Sequence, residues 1–399
     1  MRMKSIFLSM LAIAALASCT KENFNVDPPG SQGEKMLVDI TLSSGKKTKA
    51  AGAATAAEDK TIDNVTVFFL NATDQIVSKH YVNSTGLTND ETDPAAKTAT
   101  IETRSTAVNM MVIANIGESR VGTGGTLDVA TRAQLVKVVQ DLAVGSPAPL
   151  PVQVKGDVLM SGEGTVNDMT PQEGGASTAD ASATLNFIPA KITLTKIALG
   201  NDVQGVYGTD FKFTRAFLLN VQTKSHYFPT TNSYIPDPKA YANGVAWEAS
   251  WGTDPGHPVV ADFNQALSFS DMDAAKTDIA HWYVFENDPA SVVPADKPTT
   301  LVIEVEWTKV KADLGAGVAE EKVKKMFNVI FAPGDKGVIE AGKAYNVDLT
   351  FNGDFRPESD GGNGGGGDDN PDKPNISANV GITVTPAEWT DTSTPKPFE

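Results

Sequence analysis

Apolar residues at every second position dominate the short ordered runs of this chain, and that spacing commits those runs to β-strands. Met36, Val38, Ile40 and Leu42 fall on one face of the first run, with Asp39 and Thr41 on the other. Asn64–Leu70 puts Val65, Val67 and Phe69 on one face, and a further strand is expected over Ile76–Val82. Asn109–Ile116 is apolar enough to be a buried strand. Runs over 183–188, 191–199, 211–221, 281–286, 300–307, 323–331 and 344–351 favour β-branched and aromatic residues. One helix is expected over Asp128–Leu142, with Asp128 as its N-cap. Leu135, Val138, Val139 and Leu142 recur there at helical spacing, and Pro147, Pro149 and Pro151 end the run. Many short strands, turn-rich gaps and one modest helix predict a mainly β chain. Its 399 residues suit two β-sandwich domains in tandem, a short helix in the first, with a boundary near residue 187.

Composition excludes several functions. A net charge of −16 opposes phosphate binding, so nucleic acid is not an expected partner. One cysteine rules out an internal disulfide and a cysteine-built zinc site. His80, His226, His257 and His281 are widely spaced and form no His-x-x-x-His pair. There is no Gly-x-Ser-x-Gly elbow and no phosphate loop, and Gly122–Gly125 reads as a turn. No catalytic residue, metal or cofactor is therefore expected. Asp271 with Asp273, and Asp368 with Asp369, read as solvated surface. Trp247 and Trp251 read as a plug that seats a loop on a core, with a sugar-stacking surface as the alternative.

The N-terminus explains the lone cysteine. Arg2 and Lys4 precede an apolar run, Ile6–Leu16, which is too short to span a bilayer stably. It ends in Leu16-Ala17-Ser18-Cys19, the pattern of a lipobox, so Cys19 is the expected lipidation site. More than one acyl chain there would anchor the precursor stably. An ordinary signal peptide with a chance cysteine is the alternative.

The tail poses a physical puzzle. After a glycine-rich stretch that includes Gly364–Gly367, Ile376, Ala378, Val380, Ile382 and Val384 again occupy every second position. Such a strand needs a surface for its apolar face and partners for its backbone. It can fold back as an edge strand of its own domain. The first strand suggests a different place. Met36–Leu42 has nearly the same pattern and is followed by a protease-accessible stretch carrying Lys46, Lys47 and Lys49. If that stretch were cut, the first strand could leave and a tail from another copy could replace it. Such pairing is head-to-tail and builds an open filament.

These features resemble the Bacteroidales fimbrillins, shaft subunits of type V pili of the major and minor fimbrium type. The resemblance rests on Leu16–Cys19, on Val38–Phe69 with Thr48-Lys49-Ala50 inside it, on Pro189-Ala190-Lys191-Ile192, on Trp282–Asn287 and on Val380–Trp389. It implies transthyretin-like sandwiches and an exchangeable C-terminal strand. It further implies a lipoprotein precursor held at the outer membrane, and cleavage by a trypsin-like protease between Lys49 and Ala50. The family site often reads Thr-Arg-Ala, so with lysine here Lys46 and Lys47 stay open as alternatives. The implied organisation is a signal peptide at 1–18 and a lipidated propeptide with the removable strand at 19–49. Sandwiches follow at 50–186 and 187–358, then a linker with the donor strand at 359–399. The implied partners are further copies of the chain and tip and anchor fimbrial proteins, in a fimbria on the cell surface. A tip or anchor subunit, or a glycan-binding surface lipoprotein using Trp247 and Trp251, is the alternative.

Overall fold

Alternating apolar residues set the strands of the computed structural model. It describes residues 33–44, 61–91, 96–120, 125, 127–141, 157–172, 176–199, 212–229, 241–251, 253–269, 276–288, 298–308, 322–331, 338–351 and 380–388. In chain order the strands begin with β1 (Lys35–Ser44), β2 (Val65–Asn71), β3 (Ile76–Val82), β4 (Thr88–Asn89), β5 (Ala96–Arg104) and β6 (Ala107–Ala114). A one-turn helix α1 (Arg132–Leu135) precedes β7 (Val139–Asp141), β8 (Met160–Thr170) and β9 (Ser177–Phe187). Then come β10 (Ala190–Leu199), β11 (Lys212–Leu219), β12 (Val221–Gln222), β13 (Lys224–His226), β14 (Tyr241–Ala242) and β15 (Asn264–Phe269). The last are β16 (Lys276–Val284), β17 (Thr300–Thr308), β18 (Lys322–Ile330), β19 (Lys343–Phe351) and β20 (Val380–Glu388). The chain is mainly β.

The described residues divide into two compact units. The first holds those up to Val138 and from Leu159 to Asn186, and the second holds Val139–Val158 and those from Phe187 onward. In the first unit one sheet runs in the order β3-β2-β6-β8-β9-β1-β5-β4. It folds over on itself, since β3, at one edge, meets β5, next to the other edge. There the Ser78 and Thr103 hydroxyl oxygens lie 2.6 Å apart, one donating to the other. Gly162 and Gly164 of β8 lie hard against β9. A Cβ on Gly164 would sit 2.1 Å from the Ser182 carbonyl oxygen, and one on Gly162 2.3 Å from that of Thr184. Only glycine permits so close a backbone approach.

The second unit has two four-stranded sheets, β16-β10-β19-β20 and β15-β11-β17-β18. Ile192, Leu194 and Val347 of the first share one hydrophobic cluster with Phe213, Leu218 and Ile303 of the second. Two small ladders complete the unit, β12 with β14 and β13 with β7.

The helix departs from expectation. It spans four residues, and Thr131 rather than Asp128 caps it, its side chain accepting from the Gln134 backbone N–H. Leu135 is buried, but the chain then leaves the helix and Val139 pairs with His226 as part of β7. Val136, Val138 and Val139 are stiff β-branched residues that suit a strand at least as well. β5 and β8 are additional strands, and β9 begins at Ser177 rather than Ala183. The close approach of β8 and β9 gives a first prediction. Gly164→Ala should lower stability by about 1–3 kcal/mol or more through overpacking against a fixed carbonyl, read by denaturant unfolding.

Candidate functional site

β1 is an interior strand. It pairs antiparallel with β5 from Lys35↔Arg104 to Ser43↔Ala96, and parallel with β9 from Met36↔Ser177 to Ser44↔Leu185. Met36, Val38, Ile40 and Leu42 are all buried to within 1% of complete. Each contributes about 1.5–3 kcal/mol by leaving water. The register sets Val38 beside Ala179, Ile40 beside Ala181 and Leu42 beside Ala183. Small residues on β9 thus flank the large ones on β1, and all three alanines are buried. The other face of β1 is mostly polar, with Lys35 and Asp39 exposed and Leu37, Thr41 and Ser43 half-buried. Lys35 bridges to Glu102 at 2.8 Å, and the Thr100 hydroxyl donates to Asp39 at 2.5 Å. Exposed pairs of this kind contribute little, so the apolar face and the two ladders hold the strand. Without β1, β5 and β9 would each present a row of unpaired backbone groups above an apolar channel.

The C-terminal strand occupies an edge. β20 pairs antiparallel with β19, with Val384 opposite Val347, Ile382 opposite Leu349 and Val380 opposite Phe351. This is the fold-back arrangement that the sequence left open for the tail. Pro386 stands opposite Tyr345, and a residue without an N–H is tolerated on an edge strand. Ile376 and Ala378 lie outside the described residues, as do Cys19, Lys46, Lys47, Lys49 and Ala50.

The remaining candidates separate by environment. Trp251 is 2% exposed and stacks on Phe217, with ring centroids 6.2 Å apart, and Trp247 packs edge-on against it at 5.5 Å. With Val302 and Met326 they cover the other face of the β11–β17–β18 region, as a core plug does. Among the described residues no group of three or more histidine, cysteine or acidic side chains is placed to hold a metal. Glu304 is a satisfied anion. Burial pushes its carboxyl up, but hydrogen bonds from Lys324, Thr214 and Arg215 outweigh that and hold it below its usual range. Glu286 is raised to about 7 by burial and by the Glu340 and Asp288 carboxylates. His80, on β3, is lowered to about 4 by burial, which outweighs the opposing field of Glu102. Its Nε2 has no hydrogen-bond partner, and its ring meets Phe69 edge-on at 6.3 Å.

One wall of the β1 channel escaped the sequence reading. β5 reads Ala-Lys-Thr-Ala-Thr-Ile-Glu-Thr-Arg, and only Ala96, Ile101 and Thr103 are buried. Its signal was the period-two placing of Ile101 and Thr103, masked by polar neighbours. The other wall, β9, buries Ala179, Ala181, Ala183, Leu185 and Phe187 at alternate positions. There the small size of alanine weakened the pattern.

Comparison with known proteins identifies the family. Residues 37–196 match the major fimbrial subunit protein family, and residues 189–389 match the C-terminal domain of FimA-like major fimbrial subunit proteins. The chain belongs to the fimbrillin family. No curated protein matches this fimbrillin in sequence. A solved structure from Bacteroides eggerthii, assigned to cell adhesion, is similar over 90% of this chain and 97% of its own, at 25% identity and a TM-score of 0.64. A second structure with that assignment, from Parabacteroides distasonis, covers 89% and 99% at 15% identity and a TM-score of 0.60. A fimbrilin from Porphyromonas gingivalis covers 90% and 99% at 16% identity and a TM-score of 0.55. The latter two likenesses concern the fold.

Two predictions follow from the first unit. Ile40→Ala should cost the intact chain about 2–5 kcal/mol by leaving a cavity in the channel, measured by chemical denaturation. His80 makes stability depend on pH. Folded, it takes its proton near pH 4, and unfolded near 6.5, so its stabilising contribution is complete above about 6.5. The contribution is lost as pH falls from about 6.5 to about 4, on the order of 3 kcal/mol in all. His80→Gln should flatten that part of the stability curve, seen in denaturant midpoints between pH 7.5 and 4.

Proposed function

We propose that this fimbrillin is a shaft subunit of a fimbria on the bacterial cell surface, assembled by exchange of its first strand. In this reading Cys19 carries the lipid of an exported precursor, and the outer membrane holds it. A trypsin-like protease cuts between Lys49 and Ala50, or at Lys46 or Lys47. β1 then departs with the lipid, and the Ile376–Val384 strand of another copy takes its place. The observation that carries the reading is the position of β1. It is an interior strand with a fully buried face, yet it connects to the rest of the chain through a stretch rich in lysine. An interior strand severed from its chain leaves a channel that demands a replacement.

The fold-back position of β20 is compatible with this role. An edge strand has one ladder, whereas the β1 channel offers two. Transfer from the edge of one copy to the channel of another adds a ladder and its hydrogen bonds. The same reading takes the folded-over sheet of the first unit as one transthyretin-like sandwich. The two four-stranded sheets, with their shared core, make the second.

The proposal has a direct test. N-terminal sequencing of assembled filaments should find a start near Ala50, and a lipid-modified Cys19 on assembled protein would instead indicate an anchor. Deletion of Ile376–Glu399 should leave monomers or short ends that cannot extend. Long polymers of the deleted protein, seen by electron microscopy, would remove the tail from the mechanism.

A further inference from the structure

The sheet order isolates β5. Its hydrogen-bonded neighbours are β1 on one side and the two-residue strand β4 on the other. Every backbone ladder that joins β5 to the body of the sheet therefore runs through β1. Its own hold on the core is slight, because Ile101 is the only large apolar side chain it buries. When β1 leaves, β5 loses its ladder while it must still serve as one wall of the vacated channel. What then holds it is its short turn to β6 through Ser105 and Thr106, its brief pairing with β4, and the place where the sheet folds over. There Thr103, 3% exposed on the inward face of β5, meets Ser78 of β3, with hydroxyl oxygens 2.6 Å apart.

We propose that the Ser78–Thr103 hydroxyl pair is a latch that keeps β5 in place after β1 departs, so that the strand of a second copy enters a channel with both walls formed. The inference rests on the reading that β1 is removed. In that reading Ser78 and Thr103 are positioning residues: Thr103 stands opposite Met36 in the β1 ladder, and its hydroxyl meets Ser78 of β3. The physical basis is preorganisation. A wall already held in its bound position spends no ordering entropy when the strand arrives, so affinity rises. In the uncut chain the latch is redundant, because the β1 ladder from Lys35 to Ser43 already fixes β5.

The chain offers a clean test, since its one cysteine is Cys19. The full-length double variant Ser78→Cys/Thr103→Cys, with Cys19→Ser, carries a specific protease site placed after Ser44. Hydroxyls at hydrogen-bond distance stand close to disulfide reach. After cutting and removal of the β1 fragment, binding of two synthetic peptides is measured in oxidised and reduced protein. One peptide spans Glu34–Ser44 and the other Ile376–Trp389. Oxidation should tighten binding of the Glu34–Ser44 peptide by about tenfold, an effect of the size that preorganisation supplies. Thr103→Val should weaken it by a similar factor, and Thr103→Ser should restore it. Deuterium uptake in Ala96–Arg104 should respond to these changes in the cut protein and not in the uncut one. A merely structural hydroxyl pair would alter both forms alike. Equal peptide affinity in the oxidised and reduced proteins overturns the latch. Failure of the Ile376–Trp389 peptide to bind, with the latch effect intact on the other peptide, overturns the proposed donor strand instead.

Discussion

The double pairing of β1 is the interaction on which the first unit depends. The strand supplies the antiparallel ladder of β5 and the parallel ladder of β9 at once, and it inserts four large apolar side chains between them. An edge strand with the same sequence would satisfy half of its backbone and would need only one neighbour. An interior strand instead makes its neighbours depend on it. β5 and β4 lie beyond it in the sheet order, so the integrity of that flank passes through a segment of ten residues. The structure thereby concentrates stability in the part of the unit that the proposed maturation discards.

The two units solve the edge problem differently. The first folds a single long sheet over, so that β3 and β5 come together through Ser78 and Thr103. Two glycines on β8 make a close backbone approach to β9 possible. The second uses two shorter sheets that share a core, and a loop with Trp247 and Trp251 shields the opposite face of one of them. Its outermost described strand on one side is β20, which carries Pro386. Edges that are short, covered or interrupted resist unplanned pairing between copies. The proposed assembly through strands would have particular need of that restraint.

Legibility in the sequence followed side-chain size. β1 was plain because Met36, Val38, Ile40 and Leu42 are large and their spacing is strict. β9 was read only from Ala183 onward, since Ala179 and Ala181 carry the same period with a weaker hydrophobic signal. β5 went unread because threonine and charged residues fill most of it, and its burial rests on pairing with β1 rather than on its own composition. The expected helix runs too far because Val138 and Val139 fit the helical period of Leu135 and Leu142 and suit a strand equally, and pairing of Val139 with His226 decides for the strand. The tail pattern was legible as a strand. Its partner was not, because an alternating strand fits any complementary edge and sequence spacing does not rank the edges.

The alanines of β9 carry a consequence of their own. Val38, Ile40 and Leu42 lie beside Ala179, Ala181 and Ala183, so the room for any occupant of the channel is fixed by residues far away in the chain. A bulkier residue on β9 is admissible only if the occupant shrinks at the matching position. Substitutions at these sites are therefore coupled, while exposed positions such as Asp39 or Thr100 carry no such constraint of volume. The fit of the channel is thus written in two distant stretches of the chain, and a change in one is felt by the other.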